Sequence, residues 1–389
     1  MTKKWSSRLT FFAFVVLMVG LGSNDSLRGI FSTIFQEHFS LTTTQLGLIV
    51  TASYIGNLVF LLVGGNLSTR FSKKRVLQVL ILIWMAALAL FAFTSNYTVL
   101  LIGMALALGS STLLNTTMNL ITPLLFATAP GFFVNFLFFT QEIGTSGSQY
   151  ILGSHADGFA FWQHTNLVLL ILGAVAFVLL LFCNVPEEAA DPADTPAQKG
   201  GYDWRIIVPY VLVFGFYFIA EHGVMNWMVA YGVDGLGLPQ ASAAKYLSVF
   251  FGGMMIGRLC LSPLVDKLGA LKSLAAFGGV SCVLYLIGSL GGAATMPVWA
   301  ISGLSFSILY PTLVMSIRLY FPAQQVSGAA GTILSIASLA DILFNVGFGK
   351  LVDMAGYAVS IRVLPLSVLA FFIVFMLFTK FCKPTQKLK

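Results

Sequence analysis

The sequence predicts an all-α membrane protein of twelve transmembrane helices, arranged as two pseudo-symmetric halves of six. Three observations carry that prediction. The 389 residues are 58% hydrophobic and 9% charged, whereas soluble domains carry roughly 25% charged residues. Apolar runs of about 20 residues, enough to cross a bilayer, recur twelve times and leave no room for a soluble domain. Polar landmarks in the first half recur in the second at one offset.

The first six runs lie near 9–33, 46–67, 76–93, 98–123, 132–153 and 165–183, here spans 1 to 6. Spans 7 to 12 follow near 205–231, 243–264, 271–290, 296–320, 328–350 and 363–382. The implied organisation is an N-terminal half over 1–184, a linker over 185–203 and a C-terminal half over 204–389. The linker mixes Glu187, Glu188, Asp191 and Asp194 with Pro192, Pro196 and Gly200-Gly201, a composition unable to bury apolar surface.

A shift of 196 or 197 residues superposes Gly56 on Gly253, Arg70 on Lys267, Gly153 on Gly349, Asp157 on Asp353 and Asp25 on Glu221. Coincidences at equivalent ends of equivalent spans argue for two homologous halves, with a transport pathway expected between them.

Basic residues set the expected orientation, because they resist translocation. With both termini inside, sixteen of the 21 Lys and Arg fall on the cytoplasmic side and four on the other, with Arg258 inside a span. A multi-pass protein of the plasma membrane, in bacteria the inner membrane, is expected. Lys3, Lys4 and Arg8 precede an apolar stretch without a small-x-small cleavage site, so span 1 is expected to remain attached. The net charge of +7 fits this topology better than a nucleic-acid surface, since the basic residues are not interleaved with aromatics on a soluble face. Cys183, Cys260, Cys282 and Cys382 form no Cys-x-x-Cys pair; neither disulfide, metal nor cofactor is expected.

The loop after span 2 reads Gly65-Asn-Leu-Ser-Thr69-Arg70-Phe-Ser72-Lys73-Lys74-Arg75, and the loop after span 8 reads Ser262-Pro-Leu-Val-Asp266-Lys267-Leu-Gly269-Ala-Leu-Lys272. Here the sequence resembles the major facilitator superfamily, which carries Gly-x-x-x-Asp-Arg/Lys-x-Gly-x-Arg/Lys in both places. The resemblance implies that Arg70, Lys73, Asp266, Lys267 and Gly269 belong to loops that lock one conformation. Thr69 and Ser72 depart from the pattern in the first copy, whereas the second keeps Asp266, Lys267 and Gly269.

Four acids lie inside spans, where a charge is costly and marks function by default. Asp25 sits in span 1 within Gly22-Ser-Asn24-Asp25-Ser-Leu-Arg28. It is expected either to carry a proton or to pair with Arg28, one turn on; a salt bridge at the outer end of the span is the plainer alternative. Glu221 holds the equivalent place in span 7, followed by Asn226, Trp227 and Tyr231. Trp227 and Tyr231, four apart, share one helical face and suit a sugar's apolar C–H side, or else form an interfacial aromatic belt. Glu142 lies in the polar strip Thr140-Gln141-Glu142-Ile-Gly144-Thr145-Ser146-Gly147-Ser148-Gln149 of span 5, and Asp341 lies near Asn345 in span 11. Close helix packing is the expected role of Gly144, Gly147, Gly253 and Gly257. Tyr310-Pro311-Thr312 is expected to kink span 10.

Asn24-Asp25, then Phe35-Gln36-Glu37-His38-Phe39-Ser40-Leu41-Thr42 and Gln45-Leu46-Gly47-Leu48-Ile49, resemble the start of the fucose permease group of sugar:proton symporters. Asp25 matches that group's membrane acid in span 1, its second acid falls on Asn115, and Asn119 matches an Asn of the same motif. A proton relay copied from the group would be incomplete here, since Asn115 offers hydrogen bonds but no titration.

The expected function is secondary active transport of a small polar solute, a sugar or related polyhydroxylated compound, by proton-coupled alternating access. The alternative is a drug or metabolite exporter using proton antiport, favoured by 35 Phe and 13 Met. Substrate-binding residues are expected to be Asp25, Asn115, Asn119, Gln141, Glu142, Glu221, Asn226, Trp227 and Tyr231, and proton coupling to involve Asp25, Glu221, Glu142 and Asp341. An enzyme is not expected, because no metal-ligand cluster, nucleophile motif or phosphate loop is visible. The expected partners are a small-molecule substrate, protons and the lipid bilayer, with the protein a monomer.

Overall fold

The computed structural model describes residues 3–126, 130–183, 185 and 202–384, without the side chains of 3–6, 63–70, 123, 130–132, 135, 266, 323, 324 and 327. Most of the linker, including Glu187, Glu188, Asp191, Pro192, Asp194, Pro196, Gly200 and Gly201, lies outside the described residues. All regular elements among the described residues are helical, as lipid requires of a chain that must satisfy its backbone internally.

The chain divides into two compact units, Met1–Asp191 and Pro192–Lys389. In the first, spans 1 to 6 are Lys3–Ile30, Thr43–Arg70, Lys73–Phe93, Tyr97–Leu125, Pro130–Ile151 and Phe159–Leu181. In the second, span 7 is Trp204–Ala230, span 8 Gln240–Leu268, span 9 Ala270–Leu290, span 11 Ala323–Ala355 and span 12 Val363–Phe381. Span 10 is in pieces, Met296–Ile301, Gly303–Phe306 and Leu309–Ser316.

Eleven helices among the described residues are long and apolar enough to cross a membrane. Span 5, with 22 residues, has the length, but its Thr140–Gln149 strip lowers its hydropathy. A helix so polar is stable in lipid only where that strip faces protein. Span 5 accordingly packs along span 1.

Each unit uses the same packing scheme. In the first, span 1 packs on spans 5 and 6, span 4 on spans 2 and 3, and span 3 on span 6. In the second, span 7 packs on spans 11 and 12, span 10 on spans 8 and 9, and span 9 on span 12. The sequence repeat is therefore also a repeat of neighbours.

Glycines set the closest approaches. A Cβ on Gly22 would strike the Gln141 carbonyl, and one on Gly144 the Val19 carbonyl. Around this crossing Thr145 Oγ1 donates to the Gly22 carbonyl at 3.2 Å, and Ser23 Oγ donates to that of Gly144 at 3.3 Å. Gly56 meets the Ala105 backbone in span 4, and its repeat partner Gly253 meets Leu304 in span 10. Gly257 lies against the Leu304 carbonyl. Gly147 differs from expectation: nothing lies within 4 Å of a Cβ placed there, because its face of span 5 turns away from span 1.

Gly22→Val is expected to cost about 1–3 kcal/mol, the usual range for overpacking, while Gly147→Ala is neutral or better. Thermal unfolding in detergent checks the pair. Equal melting temperatures would show that the span 1–span 5 contact tolerates a side chain.

Span 10 breaks earlier than its proline suggested. The interruptions fall at Ser302 and at Ser307-Ile308. Pro311 is then the third residue of the last piece, where a missing N–H costs nothing because first-turn donors have no intrahelical acceptor. Serines carry the broken region: Ser302 Oγ donates to the Trp299 carbonyl at 2.6 Å, and Ser281 Oγ of span 9 donates to Ser305 Oγ at 2.8 Å.

Candidate functional site

Each half holds a polar cluster inside its spans, and each is described within its own unit.

In the first half, Ser111, Asn115 and Asn119 recur every four residues and so line one face of span 4. Ser111 Oγ donates to Asp25 Oδ2 at 3.2 Å, linking spans 1 and 4. Asn115 Nδ2 donates to Gln141 Oε1 of span 5 at 2.6 Å, and Asn119 Nδ2 to Asn115 Oδ1 at 2.6 Å. Asp25 Oδ1 and Asn119 Oδ1 are buried without a partner. The structure thus brings Asp25, Asn115, Asn119 and Gln141 onto facing surfaces of three helices. Glu142 is half-buried on span 5, about 100° round from Gln141.

Arg28 is coupled to Asp25 through its charge and not through direct contact. Its guanidinium lies over the Tyr54 ring of span 2, 5.6 Å from the centroid, and among the described residues no ion pair joins it to Asp25. Three residues along a helix rotate the side chain by about 300°. That displacement carries Arg28 toward span 2, while Asp25 turns toward span 4.

In the second half, Glu221 and Arg258 both act electrostatically on Tyr217 and Tyr310. Glu221 of span 7 thus lies within electrostatic reach of Tyr310 on span 10, the fourth helix of its half, and of Tyr285 on span 9 as well. Beside it runs a connected chain. His222 Nδ1 is hydrogen-bonded to Asp341 Oδ2 at 2.6 Å. Asn345 Nδ2 donates to the Asp341 carbonyl at 2.9 Å and to its Oδ1 at 3.3 Å. Trp227 Nε1 donates to Asn345 Oδ1 at 3.0 Å. The His222 ring also stacks in parallel on Phe218, with centroids 5.4 Å apart.

The aromatic platform expected from Trp227 and Tyr231 is not open. Trp227 is 0% and Tyr231 4% exposed. The Trp227 ring packs 4.8 Å from Phe348, and Tyr231 lies 6.1 Å from Trp299 and 6.5 Å from Tyr357. They share a helical face as the spacing required, but that face turns into the half's own core, and neither ring lies in a lipid-facing belt. Asn226 is buried at 2% exposure on the same stretch.

The Major Facilitator Superfamily model matches residues 10–343 of the 389. The chain belongs to that superfamily. It is similar to the L-fucose-proton symporter of Escherichia coli (strain K12), with 23% identity over 74% of this chain and 75% of that protein. It also matches a glucose/galactose transporter of Brucella abortus biovar 1 (strain 9-941), with 26% identity over 82% of this chain and 81% of the relative. The fold matches the inward-open xylose transporter XylE from E. coli with a TM-score of 0.78, at 15% identity over 97% and 96% of the two chains. This superfamily member is thus a multi-pass membrane transporter of a small molecule, and not an enzyme.

The superfamily loops are built differently in the two halves. After span 2, Ser72 caps span 3 by accepting from the Arg75 N–H at 3.4 Å. After span 8, Gly269 takes φ 82°, a left-handed conformation suited to glycine. The departure of Ser72 from the motif is thus a change of turn. Lys73 is half-buried, and Lys267 is exposed at the end of span 8. Next to Lys73, Lys74 Nζ donates to the Leu181 and Cys183 carbonyls at 3.0 and 2.7 Å, closing the end of span 6. Arg70 and Asp266 have side chains outside the described residues.

Sequence reasoning passed over Ser111, Tyr217, His222 and Arg258 as site neighbours. A signal existed for His222 alone, the histidine set deepest within an apolar run. Nothing in a serine or tyrosine of an apolar helix announces which neighbour it meets.

Proposed function

We propose that the protein moves a small polyhydroxylated solute, a sugar or a related compound, together with protons by alternating access. The observation that carries this reading is Asp25, a carboxyl within span 1 held by Ser111 with its other oxygen unpartnered, beside the Asn115–Gln141 hydrogen bond. A carboxyl at membrane depth is stable when protonated or compensated, and both states are needed in one transport cycle. Neighbouring amides give hydroxyls both donors and acceptors. The similarity to a fucose-proton symporter and to a glucose/galactose transporter supports the same solute class.

In this reading Asp25, Asn115, Asn119, Gln141 and Glu142 line the first half's share of the path, and Glu221 and Asn226 the second's, with Trp227 and Tyr231 supporting them from behind. Asp25 is the principal proton carrier, and Glu142, Glu221 and Asp341 are the further acids available to coupling. The halves are taken as 1–184 and 204–389, joined by 185–203 on the cytoplasmic side of a bacterial inner membrane, with both termini inside and the protein a monomer.

The test is uptake into proteoliposomes of the purified protein. An inward proton gradient is expected to drive accumulation of at least one polyhydroxylated solute and to be dissipated by it. If no such solute responds to the gradient, proton symport is wrong.

A further inference from the structure

At one depth of the first half, buried polar atoms outnumber the partners that satisfy them. Arg28 is 5% exposed, and its Nε has no hydrogen-bond partner. Gln149 is 0% exposed, and neither Oε1 nor Nε2 of its amide is bonded. Asp25 Oδ1 is the third unpartnered group. A buried polar group left unbonded is destabilising, more so when charged.

These groups share one layer. Spans 1 and 5 run side by side in the same direction, with Phe11 5.2 Å from Phe133 near their starts and Thr145 bonded to Gly22 further along. Gln149 is one turn beyond Thr145, and Asp25 and Arg28 are one to two turns beyond Gly22.

We infer that this layer of the first half binds an anionic hydroxy acid, such as a uronate or aldonate, with Arg28 taking its carboxylate and Gln149 and Asp25 its adjacent hydroxyls. The inference rests on the proton-coupled symport proposed above and narrows its solute. Hydroxyls alone match the Gln149 amide and Asp25 Oδ1, but they leave the charge of Arg28 unanswered. With Asp25 ionised, Arg28 has an opposite charge on its own helix, one turn away. When a proton from water joins the Asp25 carboxylate, that compensation disappears, and an isolated buried cation costs several kcal/mol. A substrate carboxylate restores neutrality; a neutral sugar does not. Proton and anion therefore enter together, +1 and −1, and the cluster keeps its net charge.

The other ionisable groups on the spans around Asp25 are few. Span 5 carries Glu142 and, next to Gln149, the exposed Tyr150, span 6 carries His164, span 2 presents Tyr54 to Arg28, and span 4 carries Tyr97 alone, near its start.

The test uses proteoliposomes with galacturonate, glucuronate and gluconate set against galactose, glucose and fucose. Expected is gradient-driven uptake of at least one acid, with no dependence on a clamped membrane potential and no net current on a supported membrane. Arg28→Gln is expected to lower that uptake about tenfold or more, as for a lost charge-assisted bond, with Arg28→Lys retaining part of it. Proton-coupled, electrogenic uptake of neutral sugars alone overturns the carboxylate assignment and leaves symport standing. Full acid uptake by Arg28→Gln overturns the role of Arg28. If neither solute class follows the gradient, symport falls, and this inference with it. Should Arg28→Gln not fold, greater thermal stabilisation of the unaltered protein by the acids than by the neutral sugars decides, and equal shifts count against the proposal.

Discussion

Asp25→Asn is expected to abolish accumulation against a gradient while downhill exchange of solute persists. The amide has nearly the size of the carboxyl and still accepts from Ser111 Oγ, so the 3.2 Å link between spans 1 and 4 survives. What is lost is titration. One proton per solute across a gradient of ~2 pH units supports up to about 100-fold accumulation, since each unit is about 1.4 kcal/mol. In the variant the ratio is expected to fall to about one. Measuring uptake and counterflow in parallel separates coupling from binding. If Asp25→Asn still accumulates solute at the original ratio, the coupling proton sits elsewhere, with Glu142, Glu221 and Asp341 next to be examined.

Asp341→Ala is expected to destabilise the second half markedly. Asp341 is 2% exposed and connects His222 of span 7 with Asn345 of its own span, which in turn holds Trp227. Removing the acceptor of a largely buried hydrogen bond costs about 1–3 kcal/mol, and here the carboxylate serves both His222 and Asn345. Asp341→Asn keeps an acceptor for His222 and should lose much less. Melting in detergent is expected to rank the original protein highest, Asp341→Asn next and Asp341→Ala lowest. Indistinguishable melting temperatures for the two variants would mean that the chain of hydrogen bonds does not hold spans 7 and 11 together. Transport by Asp341→Asn then tests the proton role separately from stability.

Much of the fold was legible because lipid imposes one rule on every span. Polar backbone must be closed within a helix, so apolar runs reveal helices and charges mark their ends. Span 9, expected near 271–290, forms Ala270–Leu290, and span 12, expected near 363–382, forms Val363–Phe381. Span 10 was legible as a span but not as fragments, because the broken region is held by serines, Ser302 bonding back within the span and Ser305 accepting from Ser281 of span 9. Gly144 and Gly147 show the same limit: three residues apart in one strip, one touches the Val19 carbonyl and the other open space.

The intramembrane acids were legible for a similar reason, since each is an expensive exception in an apolar chain. Their partners were not. Arg28 was the near choice for Asp25 along the chain, yet Ser111, 86 residues away, holds the carboxyl. Trp227 and Tyr231 read as a binding surface because their spacing fixes a shared face, but spacing does not say what that face meets.

The sequence by itself determined the helices, the twofold repeat and the short set of charged positions inside it, because each follows from the cost of polar groups in hydrocarbon. Tertiary structure alone decided that Asp25 meets span 4, that His222, Asp341, Asn345 and Trp227 form one chain, and that Arg28 and Gln149 are buried with unanswered polar atoms. Those are contacts between residues far apart in sequence, and helix packing angle and rotation, which hydropathy does not encode, set which of them touch.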